Sequence, residues 1–235
     1  TNILTVLTCG QVTSHVSGTA SQLGRDVAEG QWKAGAYMAT LLAVFLAGAA
    51  LSGFLTEFGR RKRWASIYVL PMAVEAGLLG VFAILVDWNA EGDWHGKTAR
   101  LWLTLLPSLA MGLQNATISR ISGGTVRTTH VTGVMSDLGL ETAVWLMRRR
   151  LPAPKTNVRG TFATIGRLGL LASIVASFVL GAGLGALAYG FLPGWSMVPA
   201  VAFLAWIVAV DVWSPIAATE TNKEHGGDLH DALPK

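Results

Sequence analysis

Long apolar runs alternate with short polar stretches along this chain. A helix needs roughly 20 mostly apolar residues to cross a bilayer. Five runs approach or exceed that length: 34–58, 65–86, 101–118, 168–192 and 195–213. A shorter apolar start, 3–7, precedes the first polar stretch. The run 168–192 is apolar on every side, whereas a soluble helix confines its apolar residues to a stripe. The pattern predicts an all-α fold, a polytopic transmembrane helix bundle. Residues 134–147 predict a further amphipathic helix at the membrane surface. Residues 220–235 are polar and predict a disordered tail.

Composition agrees with the pattern. Hydrophobic residues make up 51% of the chain and charged residues 14%, against about 25% charged in ordinary soluble domains. The single cysteine, Cys9, excludes an intrachain disulfide and a cysteine-only metal site. The formal charge of +4 does not point to nucleic acid, because the basic residues sit in the loops between apolar runs.

Those loops orient the chain, since Lys and Arg collect on the cytoplasmic side of membrane proteins. Arg60, Arg61, Lys62 and Arg63 fall in one loop, and eight further basic residues lie between Arg120 and Arg167. With Lys223 and Lys235, 14 of the 18 basic residues fall on one side. Arg25, Lys33, Lys97 and Arg100 fall on the other. The assignment alternates along the chain and places the C-terminus in the cytoplasm. The chain before Thr13 must then cross from inside to outside, so 3–7 reads as the end of a truncated first span. The chain opens at Thr1 and shows no cleavable signal sequence. About six spans are expected in all, in a bacterial inner membrane.

One phrase occurs twice. VTSHVSGTASQLG (12–24) and RTTHVTGVMSDLG (127–139) share seven of thirteen positions, and two more exchange Ser for Thr. The segments FLAGAALSG (45–53) and FVLGAGLGA (178–186), and the early prolines Pro71 and Pro199, extend the match. Residues 1–98 and 99–219 then form two three-helix halves. Because three is odd, consecutive halves sit upside down, an inverted repeat as in many secondary transporters. The small residues at helical spacing (Gly48 with Ser52, Ala49 with Gly53, Gly181 with Gly185) predict close helix approach.

The stretch MGLQNATISRISGGTVRTTHVTGVMSDLG (111–139) resembles the YoaK-like family of six-span bacterial membrane proteins, a domain of unknown function. Gly112, Gln114, Asn115 and Ala116, then Arg127 to Gly133, and Asp137 to Gly139 carry the resemblance, which covers almost the whole chain. The first half departs from it, with Ser17-Gly18-Thr19 where the family has Thr-Gly-Asn. The resemblance implies the six-span fold and brings no activity.

The polar residues therefore have to carry any functional reading. The repeated phrase is too polar to face lipid. Polar or irregular backbone at membrane depth survives only when buried in protein or lining a cavity. One reading makes the two copies broken-helix elements facing a central pathway, with His15, Ser17, Gly18, Thr129, His130, Thr132 and Gly133 lining it. The other makes them helix–turn connectors at the interface. The hydroxyls are expected to cap the helix that follows. Gln114 and Asn115, late in an apolar run, join the list as solute contacts or as interhelical glue. Glu75 lies near the centre of its run, where a charge costs about 2.5–3.5 kcal/mol on insertion scales. It must be paired, protonated or hydrated, which makes it the candidate proton carrier. By alignment of the two prolines Phe203 stands in the matching place of the last run.

No catalytic set, metal site or cofactor motif is present, so no enzyme is expected. The reading is an integral membrane transporter or channel for a small polar or anionic solute, with coupling to protons through Glu75. A non-transporting sensor or assembly scaffold is the alternative. The expected partners are the lipid bilayer, the solute and a second copy in a homo-oligomer.

Overall fold

Each apolar run becomes a helix because a backbone without water must satisfy its hydrogen bonds internally. The computed structural model describes residues 1–91, 96–123, 131–150 and 165–214, and these are helical with short connections. In chain order the helices are α1 (Asn2–Cys9), α2 (Val16–Ala28), α3 (Trp32–Arg61), α4 (Val69–Glu91), α5 (Lys97–Ile121), α6 (Val131–Arg150), α7 (Ile165–Phe191) and α8 (Val198–Trp213). A 3-10 turn, Gly194–Met197, leads into α8. Among the described residues, α3, α4, α7 and the stretch Trp195–Trp213 are long and apolar enough to cross a membrane. The tail 220–235, Thr129 and His130 lie outside the described residues.

The predicted run 101–118 lies within α5, which does not reach the apolarity of the other four spans. It includes Lys97, Arg100, Gln114, Asn115 and Arg120. The reason is positional. Its neighbours are α1, α3 and α4, and they bury ten of its residues, from Ala99 to Thr117. A helix covered by protein can afford polar groups that lipid would reject.

The seam between α3 and α5 shows how. Tyr37 Oη donates to Thr104 Oγ1 (2.9 Å), Ser108 Oγ to the Leu41 carbonyl (3.0 Å), and Ser52 and Thr117 share a hydroxyl bond (2.7 Å). Arg120 Nη1 donates to Thr56 Oγ1 (2.6 Å). Residue numbers rise together in both helices, so they run parallel. At the crossing, a Cβ on Gly48 would strike the Leu109 carbonyl, and one on Gly112 the Phe45 carbonyl. The expected small-residue contact is therefore present at Gly48. Gly53 and Gly181 have nothing within 4 Å of where a Cβ would stand, so the expectation is corrected at those two positions. A Cβ on Gly185 would stand 3.0 Å from Ile3, and there α7 does come close to α1.

The other helices follow from two contacts. At the end of α3, Gly59 lies against Ile67, so α4 turns back antiparallel. Ser66, just before α4, donates to Asp211 Oδ2 near the end of α8 (2.5 Å), and both side chains are buried. α8 is thus antiparallel to α4. One end of the bundle, where α3 and α5 finish and α7 starts, gathers Arg60, Arg61, Lys62, Arg63, Arg120 and Arg167. We call it the basic end.

Candidate functional site

The repeated phrase begins where α1 ends. Gly10, in the left-handed conformation (φ 70°), closes α1, and Arg100 Nη2 donates to the Cys9 carbonyl (2.7 Å). The chain then doubles back. Asn2 Nδ2 donates to Ser14 Oγ (2.5 Å), and Asn2 Oδ1 accepts from the Ser14 amide (3.2 Å) and from Thr13 Oγ1 (3.4 Å). Asn2 and Cys9 are the two ends of α1, about 10 Å apart at 1.5 Å per residue. Residues 10–14 therefore descend by that distance into the bundle, and Thr13 and Ser14 are buried.

From there α2 climbs back. Gly35, early in α3, faces Leu23, Val27 and Asp26, so α2 packs antiparallel on α3. Its 13 residues rise about 18 Å, roughly half of what a span requires. α2 is a half-length helix whose first residue points toward the middle of the bundle.

His15 occupies its N-cap position and makes no side-chain cap bond. The expectation that hydroxyls would cap this helix is corrected: Thr13 and Ser14 are held by Asn2, and Ser21 Oγ donates back to the Ser17 carbonyl (3.0 Å). The imidazole instead folds over Gly18, where a Cβ would come within 2.8 Å of the ring. The spacing His-x-x-Gly is thereby explained: glycine at the third helical position leaves the seat for the ring. His15 and Ser17 are exposed, and Gly18 is half-buried. In the second copy α6 starts at Val131, the residue matching Val16. Thr132 and Gly133 lie exposed in its first turn.

Glu75 is buried on α4, and Gln114 Nε2 of α5 donates to its Oε1 (2.6 Å). Asn115 is half-buried beside Gln114 in sequence. Leu4, Leu79 and Met111 share one core cluster. Leu79 is a turn from Glu75 and Met111 a turn from Gln114, each away from the basic end, while Asn2 lies two residues toward that end from Leu4. Tyr37 pairs with Thr104, and Gly35 faces Leu23 and Val27, so helix rise puts the start of α2 within roughly a turn of the level of Gln114. Phe203, matched to Glu75 in sequence, is exposed.

Two acids were not legible as a pair. Asp26 is buried on α2, with Oδ1 on Arg25 Nη2 (3.0 Å). Glu141 is buried on α6, with Oε1 on Arg167 Nε (3.0 Å). They are 115 residues apart, the same offset as the two histidines, and that offset was the signal that could have found them. No group of three or more His, Cys, Asp or Glu side chains suited to a metal occurs among the described residues.

The family described as "Protein of unknown function (DUF1275)" matches residues 1–210. The chain belongs to that family. No curated protein matches the chain, and no solved structure does. As a DUF1275 protein, the chain is a helical membrane protein whose apolar helices contact lipid, and the family description assigns it no activity.

Proposed function

We propose that the chain is not an enzyme but a membrane transporter for a small polar or anionic solute, coupled to protons through Glu75. In this reading it is built of two inverted halves with about six spans, among them α3, α4, α5, α7 and α8. What supports the reading is the half-length helix α2, whose start lies, by helix rise, within roughly a turn of the buried Glu75–Gln114 pair. Half-helices ending near the bilayer middle are how transporters present free N–H groups to a solute. His15, Ser17 and Gly18 of the first half, and Gln114, Asn115, Thr129, His130, Thr132 and Gly133 of the second, are the solute contacts in this reading.

The pairing of helices supports the inverted halves. Exchanging α1 with α5, α2 with α6, α3 with α7 and α4 with α8 turns the α2–α3 contact into α6–α7, and α3–α5 into α7–α1. These contacts occur, and α1–α5 and α4–α8 map onto themselves, whereas α4–α5 has no counterpart of comparable extent between α8 and α1 among the described residues. The basic end is cytoplasmic in this reading, and the membrane is the bacterial inner membrane.

A second reading, a sensor or assembly scaffold, draws on one observation. A described cavity lies between α4 and α8 and is lined mainly by apolar residues, away from Glu75. Labelling separates the two. In a Cys9→Ala background, His15→Cys and Ser17→Cys should react with a membrane-impermeant maleimide in sealed vesicles. Uptake by a Glu75→Gln protein should lose its pH dependence. Labelling that appears only after the bilayer is dissolved would sink the transport reading.

A further inference from the structure

The α4–α8 cavity has about 470 Å³ of space and is lined by Gly80, Ile84, Trp195, Val201 and other apolar residues, together with Asp87. That volume lies in the range of small-ligand sites, roughly 300–1,000 Å³. Both of its walls belong to stretches long and apolar enough to cross a membrane, and in a bilayer such a cavity borders hydrocarbon, where water does not fill an apolar void. The cavity is open at Gly80, where a Cβ would touch nothing within 4 Å.

The chemistry changes at one end. Asp87 is the only charged residue of the lining. It is half-buried, and none of the described ion pairs uses it. It stands one turn from the end of α4, at the end of the bundle opposite the basic one. Trp88 and Trp195, both exposed, stand beside it, as aromatic residues do at the headgroup level. An apolar trough with a free carboxylate at headgroup depth complements an amphiphile with an apolar tail and a cationic head.

We propose that this groove binds one acyl chain of a phospholipid whose headgroup carries an amine, with Asp87 receiving the ammonium. A headgroup with net negative charge is repelled at the same place. The site is independent of the transport reading.

The test uses the full chain purified in detergent and titrated with phosphatidylethanolamine or phosphatidylglycerol, with bound lipid counted by native mass spectrometry. The wild type should hold the amine lipid more tightly by about two- to fivefold, the scale of a partly exposed ion pair. Asp87→Asn should erase the preference while the lipid still binds, and Gly80→Phe should remove one bound lipid of either kind. Equal binding of both lipids by the wild type would overturn the proposal. So would lipid binding unchanged by Gly80→Phe, or a dimer that Gly80→Phe dissociates, which would make a second copy the occupant.

Discussion

Asp26 and Glu141 hold the same place in two matching helices, ten residues beyond Val16 and Val131, and each is buried with one oxygen on an arginine. They differ in what the remaining oxygen does. Asp26 Oδ2 is buried without a hydrogen bond, and it sits in the last turn of α2, where a negative charge opposes the helix dipole. Asp26→Asn should therefore leave the melting temperature unchanged or raise it. Glu141→Gln removes the ion pair with Arg167 and should lower stability, by only about 1 kcal/mol because the partly exposed Arg167 can turn to water. Thermal unfolding of both variants in detergent checks the contrast.

The α3–α5 crossing is closed to any side chain. Gly48→Ala and Gly112→Ala each drive a methyl into a carbonyl of the facing helix, and overpacking of this kind costs about 1–3 kcal/mol or more. Gly53→Ala, about one and a half turns further along α3 and open on that side, should be neutral or slightly stabilising, since alanine favours helix. Unfolding curves should separate the two destabilised proteins from the third.

Glu75 and Gln114 should behave as a unit. Gln114→Leu leaves a buried carboxyl without its donor, a loss of about 1–3 kcal/mol. Replacing both, as Glu75→Leu with Gln114→Leu, should recover most of it, since removing both partners is nearly neutral. A double-mutant cycle on stability measures the coupling separately from any solute assay.

Gly18→Ala should displace the His15 ring while α2 persists, because alanine favours helix and the obstacle is the ring alone. The imidazole resonances of His15 should move in nuclear magnetic resonance spectra, and circular dichroism should not change.

The apolar runs were legible because lipid imposes a simple demand on length and composition. Four of the five appear as apolar spans with ends shifted by a few residues, such as α3 at Trp32–Arg61 against 34–58. α5 was read as another such run, but α1, α3 and α4 bury ten of its residues, and hydropathy registers that only as weakness. The duplicated phrase was visible as letters, yet its job was not. Its hydroxyls suggested caps, and the ring of His15 over Gly18 takes that position instead. The descent of Thr13 and Ser14 depends on Asn2, which no local pattern marks as their partner. Glu75 and Gln114 were each singled out in the sequence, but their bond joins residues 39 apart and needed the fold to bring them together.

The shielding of α5 also bears on how the protein is made. A segment carrying Arg100, Gln114, Asn115 and Arg120 enters a bilayer poorly by itself, because polar side chains oppose insertion. Its seam partner α3 and its neighbour α4 leave the ribosome first. They can wait in the membrane and offer Tyr37, Ser52, Thr56 and Glu75 to the polar groups as α5 arrives. The order of synthesis thus matches the order of need, and a circular permutant that delivers α5 ahead of α3 should stall at insertion.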